Sequence, residues 1–343
     1  MKRETGLNLR RPLLLILALF LLSACLALPA APAALPTPLQ PTFPPPPTGT
    51  APPTETPAPT STATALPRPP ITRVVIISID GLRPDAIDLA PMPVLLGLIQ
   101  GGAYSPDAQT IFPSITLPSH TSMLTGLCPA AHGVTWNEYL PEKGYARGLD
   151  LFDLAHAAGL RTVMVTGKEK LQQITEPGSL DLFRWVNDPD QVIGRRAAAL
   201  IPQGFGLLFI HFPDGDLEGH AYGWMSLQQL LALRGTDDAL GAVLAALDAA
   251  DMRANTLVIV TADHGGHNTT HGFDIPADMT IPWVANGPGI VHSQLASHIN
   301  TTDTAATAAW ALGLPLPAEW AGRPVLEAFG FPDEAPRPEP RCP

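Results

Sequence analysis

The chain has 343 residues, 45% of them hydrophobic and 15% charged, with 20 basic against 31 acidic side chains and three cysteines. Its formal net charge of −11 excludes a nucleic-acid polymer as the expected partner, because such binding rests on basic surface that displaces counterions. Small phosphate esters stay open, since metal ions in a site set its local charge whatever the surface does.

Residues 1–24 read as a signal peptide. Lys2, Arg3, Arg10 and Arg11 form a basic start, Leu13 to Leu22 an apolar run, and Leu22-Ser23-Ala24-Cys25 a small-residue cleavage site ending in cysteine. A membrane span needs about 20 apolar residues, and Pro29 and Pro32 stop the run before that. Removing residues 1–24 takes four basic and one acidic side chain and leaves a mature net charge near −14. Residues 25–70 follow as a stalk rich in Pro, Thr, Ala and Ser, which buries too little apolar area to offset its chain entropy. Residues 71–331 form one predicted domain, long enough for a sizeable core, and residues 332–343 a loose tail. Past Cys25, only Cys128 and Cys342 remain; one disulfide and two free thiols are both open, since a single pair carries no spacing information.

Within the domain, strands and helices alternate. Val74 to Ile79, Thr162 to Val165, Leu207 to Ile210 and Leu257 to Val260 are continuous apolar runs, as expected of strands covered on both faces. Helices are expected over Pro84 to Ile99, Leu149 to Ala158 and Ala239 to Ala249, the last with Thr236, Asp237 and Asp238 as cap candidates. The order is α/β, a mostly parallel sheet flanked by helices. Asp80 follows the first run at once, Asp216 lies six residues beyond Ile210, and Asp263-His264 follows Val260 by two residues. Open α/β sheets bind ligands at the carboxyl ends of their strands, so these residues can meet. Together with Thr116, His220 and His271 they supply what two adjacent divalent metals need to split a phosphate ester.

Five blocks resemble, in order, the metal-site blocks of the alkaline phosphatase superfamily, in its type I phosphodiesterase and nucleotide pyrophosphatase branch. They are Ile79-Asp80-Gly81; Pro113 to His120 running on to Thr125-Gly126 and His132-Gly133; Asp216 to His220; Ala262 to Gly265; and His271 to Asp274. The resemblance spans most of residues 74–290 and implies an alkaline phosphatase-like three-layer sandwich. It also implies one metal on Asp216, His220 and His271, and a second on Asp80, Asp263, His264 and the Thr116 oxygen. Zinc is the implied metal, and mixed imidazole and carboxylate ligands suit catalytic zinc better than magnesium or calcium. Residues 22–25 resemble the bacterial lipoprotein box, which implies a lipid on Cys25 and an extracytoplasmic, membrane-anchored protein.

Thr116 is the implied nucleophile, its weakly acidic hydroxyl needing a metal or base, and Pro118 suits the first turn of a following helix. Thr110 offers a competing register without the Pro-x-His step that follows Thr116. Asn137 matches an asparagine that contacts a phosphate oxygen in the phosphodiesterase branch; a turn residue is the alternative. Ser119 and Leu117 depart from the branch's usual asparagine and aromatic. His267 rivals His271 by spacing, and Gly272-Phe273-Asp274 favours His271. His211, Asp214, Glu218 and Asp274 are expected around the site, and His292 and His298 on the surface. The short Asp263 to His271 segment leaves no room for a substrate-capping insertion.

The expected reaction has Thr116 attack phosphorus in line and water cleave the phosphothreonine. A sulfatase would need a formylglycine precursor and an arginine that the Thr116 block lacks. A phosphomonoesterase would need a cation for the extra phosphate charge, with Lys168 and Lys170 as open candidates, and a binding lipoprotein would have lost ligands that this chain keeps.

Overall fold

The computed structural model describes residues 66–332 and Cys342. The expected signal peptide, Cys25 with its expected lipid, most of the expected stalk, and residues 333–341 and 343 of the tail lie outside the described residues. Among the described residues no helix is long and apolar enough to cross a membrane.

Among the described residues eight strands form one sheet: β1 (Arg73–Ile79), β2 (Ala103–Gln109), β3 (Thr162–Thr166), β4 (Leu182–Trp185), β5 (Leu207–Phe212), β6 (Thr256–Thr261), β7 (Thr280–Asn286) and β8 (Ser293–Gln294). Their order across the sheet is β4-β3-β5-β1-β6-β7-β2-β8. The strands from β4 to β6 run parallel, β7 is antiparallel to β6 and β2, and β8 is parallel to β2. Every residue of β3, β5 and β6 is buried, so the centre of the sheet is covered on both faces, as its uninterrupted apolar runs require. β2 and β7 escaped the sequence reading: β2, Ala103–Gln109, carries Pro106 and Asp107 and lacks an apolar run.

Among the described residues ten α-helices accompany the sheet: α1 (Ala86–Leu89), α2 (Pro93–Gln100), α3 (Thr116–Thr125), α4 (Pro129–His132), α5 (Leu151–Ala157), α6 (Asp190–Ala198), α7 (Asp214–Tyr222), α8 (Leu227–Ala249), α9 (Pro276–Met279) and α10 (Asp303–Ala311). The helix expected over Pro84 to Ile99 is two, because Pro93 forces Met92 out of helical geometry (φ −106°, ψ 71°). α5 opens on a reciprocal capping box between Asp150 and Asp153. α8 begins a dozen residues before the expected Ala239, capped by the Ser226 hydroxyl, which accepts from Gln229 N–H. The expected caps are therefore interior residues: Thr236 donates to Asp190 at 2.5 Å, and Asp237 accepts from Val94 and Leu95 N–H of α2 at 2.9 and 2.8 Å. Cys128 and Cys342 are joined in a disulfide, their Cα atoms 5.2 Å apart, which ties the far end of the chain to the start of α4.

The sheet positions the chemistry. β3, β5, β1 and β6 are adjacent and parallel, so their carboxyl ends share one edge, with Ile79 level with Phe212 and Thr166 level with His211. Gly167-Lys168, Pro213 with α7, Asp80 and Asp263-His264 leave from those ends. Gly81, in the left-handed region at φ 73°, turns the chain after Asp80, where a Cβ would stand 3.2 Å from the Asp216 Cα.

Candidate active site

Two donor groups converge at this edge, Asp216 with His220 and His271, and Asp80 with Asp263 and His264. Asp216 and His220 are four residues apart on α7 and so share one face, with His220 Nε2 3.3 Å from Asp216 Oδ1. His271 comes from the loop before α9, its Nε2 3.5 Å from Asp216 Oδ1 and 3.1 Å from His220 Nε2. In the second group His264 Nε2 stands 3.4 Å from Asp80 Oδ1 and 3.2 Å from Asp263 Oδ2. Asp80, Asp263 and His264 are wholly buried.

The histidine tautomers follow from their partners. Nδ1 of His220, His264 and His271 lies 3.0, 2.8 and 2.8 Å from the carbonyls of Thr269, Gly265 and Ser114. A carbonyl only accepts, so each Nδ1 carries a proton and each Nε2 lone pair faces the site. The buried Asp80 Oδ1, Asp216 Oδ1 and Asp263 Oδ2 have no hydrogen-bond partner. Unpartnered buried carboxylate oxygens beside convergent imidazole lone pairs are costly unless a cation takes them up, so the residues present fit metal ions.

Thr116 opens α3 with its hydroxyl 3.5 Å from both His264 Nε2 and Lys168 Nζ. Thr110, the competing register, donates its hydroxyl to the Asp263 carbonyl and so braces the strand end. Asn137 Oδ1 accepts from Leu117 N–H at 2.9 Å, satisfying one of the exposed amides of the α3 amino terminus, and from Lys170 Nζ at 2.9 Å. Gln173, buried beside this segment, fixes the Asn137 loop by bonding Leu140 N–H (2.8 Å) and the Leu140 and Gly144 carbonyls (2.7 Å each). Of the histidine rivals, His271 joins the donor group, whereas His267 commits Nδ1 to Asp278 at 2.7 Å.

Lys168 is central. Its ammonium bonds Asp80 Oδ2 at 2.7 Å and Asp216 Oδ2 at 2.5 Å, one carboxylate from each donor group. Each carboxylate thus gives Oδ2 to the lysine and keeps Oδ1 for its own group. Burial works to raise the Asp80 carboxyl, but Lys168 and the His211 hydrogen bond hold it well below the usual range. Asp216 is likewise lowered: burial and repulsion from Asp80 work to raise it, and Lys168 with the nearby His220 and His264 together outweigh them. Burial and repulsion from Asp80 push Asp263 well above it. Burial, with His271 nearby, lowers His264 to about 3, whereas the adjacent Asp216 carboxylate raises His220. In the sequence Lys168 was legible only as a candidate cation for a monoester phosphate, not as the link between the two donor groups.

Of the residues expected around the site, His211 donates to Asp80 Oδ2 at 2.9 Å, with Nδ1 accepting from Gly167 N–H. The Asp214 carboxylate instead accepts from Asp190 N–H at 3.0 Å, and the Asp190 carboxylate from Asp214 N–H at 3.3 Å, joining the starts of α6 and α7. Asp274 and His292 are exposed, Glu218 and His298 half-buried. His120, four residues after Thr116, donates Nδ1–H to the Thr116 carbonyl at 2.8 Å and contacts the Ser78 hydroxyl at 2.8 Å, pinning α3 to β1.

The family model described as Type I phosphodiesterase / nucleotide pyrophosphatase matches residues 74–157 and 165–301. Among curated proteins, an uncharacterized pyrophosphatase/phosphodiesterase of Schizosaccharomyces pombe is 26% identical over 225 residues, covering 56% of this chain and 44% of the relative. The human GPI ethanolamine phosphate transferase 2 catalytic subunit is 28% identical over 293 residues, covering 77% and 29%. Human ectonucleotide pyrophosphatase/phosphodiesterase family member 1 is 26% identical over 216 residues, covering 56% and 23%. The chain spans less than half the length of these relatives. Two solved structures share the fold: murine ectonucleotide pyrophosphatase / phosphodiesterase 5 (TM-score 0.60, 15% identity, covering 71% of this chain and 96% of that one) and the wild-type alkaline phosphatase PafA (0.62, 14%, 78% and 100%). With a match over most of the domain, and the expected sheet and donor groups in place, this chain belongs to the type I phosphodiesterase / nucleotide pyrophosphatase family, on an alkaline phosphatase-like fold.

Proposed function

We propose that the protein hydrolyses phosphoric esters with Thr116 as nucleophile and two divalent metal ions, zinc by the chemistry of the donors, on Asp216, His220 and His271 and on Asp80, Asp263, His264 and the Thr116 oxygen. The observation that carries this reading is the pair of imidazole and carboxylate groups, each with unpartnered buried oxygens, with one threonine hydroxyl 3.5 Å from His264 Nε2 and from the Lys168 ammonium that bonds both groups. Bound metals would supply Lewis acidity to the phosphoryl oxygens and to the attacking and leaving oxygens. Thr116 attacks phosphorus as the alcohol leaves, and water then cleaves the phosphothreonine, restoring the hydroxyl. Asn137, its Oδ1 already holding Leu117 and Lys170, turns its amide N–H groups toward a phosphoryl oxygen. Thr116→Ala is expected to abolish turnover of a bis-aryl phosphate while metal content stays at the wild-type level; an active Thr116→Ala protein removes Thr116 from this role.

One observation favours a second reading, a phosphomonoesterase. Lys168 Nζ lies 3.5 Å from the Thr116 hydroxyl and Lys170 sits on Asn137, which supplies cations for the extra charge of a terminal phosphoryl group. On this reading Lys168→Ala lowers kcat/KM for an aryl monophosphate far more than for a bis-aryl phosphate; equal losses reject it. We also propose an extracytoplasmic protein held to the membrane by lipid on Cys25, a setting in which the Cys128–Cys342 disulfide persists. Labelled fatty acid should enter the wild type but not Cys25→Ala.

A further inference from the structure

The loop that carries His271 is held from both sides by one side chain. Asp278, wholly buried in α9, accepts from His267 Nδ1–H through Oδ1 at 2.7 Å and from Phe273 N–H through Oδ2 at 2.9 Å. Those partners lie on either side of His271, and the Asp278 carbonyl also accepts from Gly265 N–H at 2.8 Å, next to His264. Between them, His267 and Thr270 exchange backbone bonds at 2.9 and 3.0 Å, closing a small hairpin. At the turn of that hairpin the Thr269 carbonyl accepts from His220 Nδ1–H at 3.0 Å. His220 and His271 arrive from different elements, yet the backbone that orients one and carries the other hangs on the same carboxylate.

We infer that Asp278, acting through His267, is a positioning residue that sets the metal affinity of the Asp216, His220 and His271 group selectively. This rests on the two-metal reading above. The Asp80, Asp263 and His264 group makes no bond to the Asp278 carboxylate: Asp80 is oriented by His211 and Lys168, Asp263 by Gly81 N–H at 3.2 Å, and His264 by the carbonyl of Gly265, a residue that meets Asp278 only through the Asp278 backbone carbonyl, which Asp278→Asn keeps. An outer carboxylate that fixes a ligating imidazole is worth about 10- to 100-fold in metal affinity. In Asp278→Asn the amide has one acceptor oxygen for two donors, so either His267 or Phe273 loses its bond and the hairpin shifts.

The test is a zinc titration of the whole protein against a competing chelator, resolving two binding steps, with metal content measured directly. Asp216→Ala and Asp263→Ala identify the steps, since each removes a ligand from one group. Asp278→Asn is expected to weaken the step lost in Asp216→Ala by about 10- to 100-fold and leave the other within about two-fold. His267→Ala should weaken the same step, and His267→Gln, which keeps a donor, should lie nearer wild type; this pair carries the test if Asp278→Asn does not fold. Unchanged affinities, parallel losses at both steps, or a loss confined to the other step overturn the assignment while the two-metal reading stands. A wild type that holds no metal overturns both.

Discussion

His132 belongs to the block that signalled the family, yet it touches neither donor group; it locks α4 to α3 through a buried neutral imidazole. Its Nδ1 accepts from Val134 N–H at 3.1 Å, so Nε2 carries the proton toward the Ser122 hydroxyl at 3.0 Å. Burial, with the Arg147 guanidinium nearby, lowers its pKa from 6.5 to about 4. Because the folded value is depressed, the stability it contributes is complete above pH 6.5 and is lost as pH falls toward 4, where the unfolded chain binds a proton that the folded one refuses. The gap is worth about 3 kcal/mol in full and about 2 kcal/mol at pH 5, at roughly 1.4 kcal/mol per unit. The assay is urea unfolding of wild type and His132→Gln from pH 7.5 to 4.5, read as the difference between the two. Other titrating groups then cancel, including Asp150, which burial and Asp153 push up to about 7 and which acts in the opposite direction. His132→Gln should gain on wild type by about 2 kcal/mol between pH 7.5 and pH 5; curves that stay parallel across that range would refute a buried neutral His132.

Asp237→Ala removes the acceptors of Val94 and Leu95 N–H and should cost about 1–2 kcal/mol in the same unfolding assay, with no change in metal content. Gly102→Ala would set a Cβ 2.3 Å from the Ala285 carbonyl oxygen, a backbone atom that cannot step aside, and should destabilise by about 1–3 kcal/mol. Zinc at about 100 times its dissociation constant should add roughly 2.7 kcal/mol of stability, seen as a rise in melting temperature that a chelator reverses. A melting temperature indifferent to zinc and chelator would count against the metal reading.

Much of the core was legible because period and run length report burial locally. Val74 to Ile77 and Leu257 to Val260 are apolar at every position, as suits a strand covered on both faces, and acidic residues shortly after them announce a site at the strand ends. Five ordered blocks also named the family, and with it the donors that the fold brings together. Other features were set by contacts distant in sequence. The true start of α8 depends on Ser226, and Asp237 looked like its cap because a cap for α2 on another helix has the same local signature. His267 and His271 are equivalent by spacing; Gly272-Phe273-Asp274 favours His271, and the fold brings His271 to the donor group while His267 bonds the buried Asp278. The Cys128–Cys342 bond joins positions 214 residues apart, which no spacing rule reaches. Lys168 is ordinary as sequence; its ammonium matters because β1, β3 and β5 lie side by side and deliver it between Asp80 and Asp216. Which side chains can bind a cation, and near which strand ends they lie, is written in the order of residues, because those properties belong to single positions and short runs. Which atoms of those side chains face one another is set by the folded chain, because that depends on strand order, loop closure and the hydrogen bonds that orient each ring.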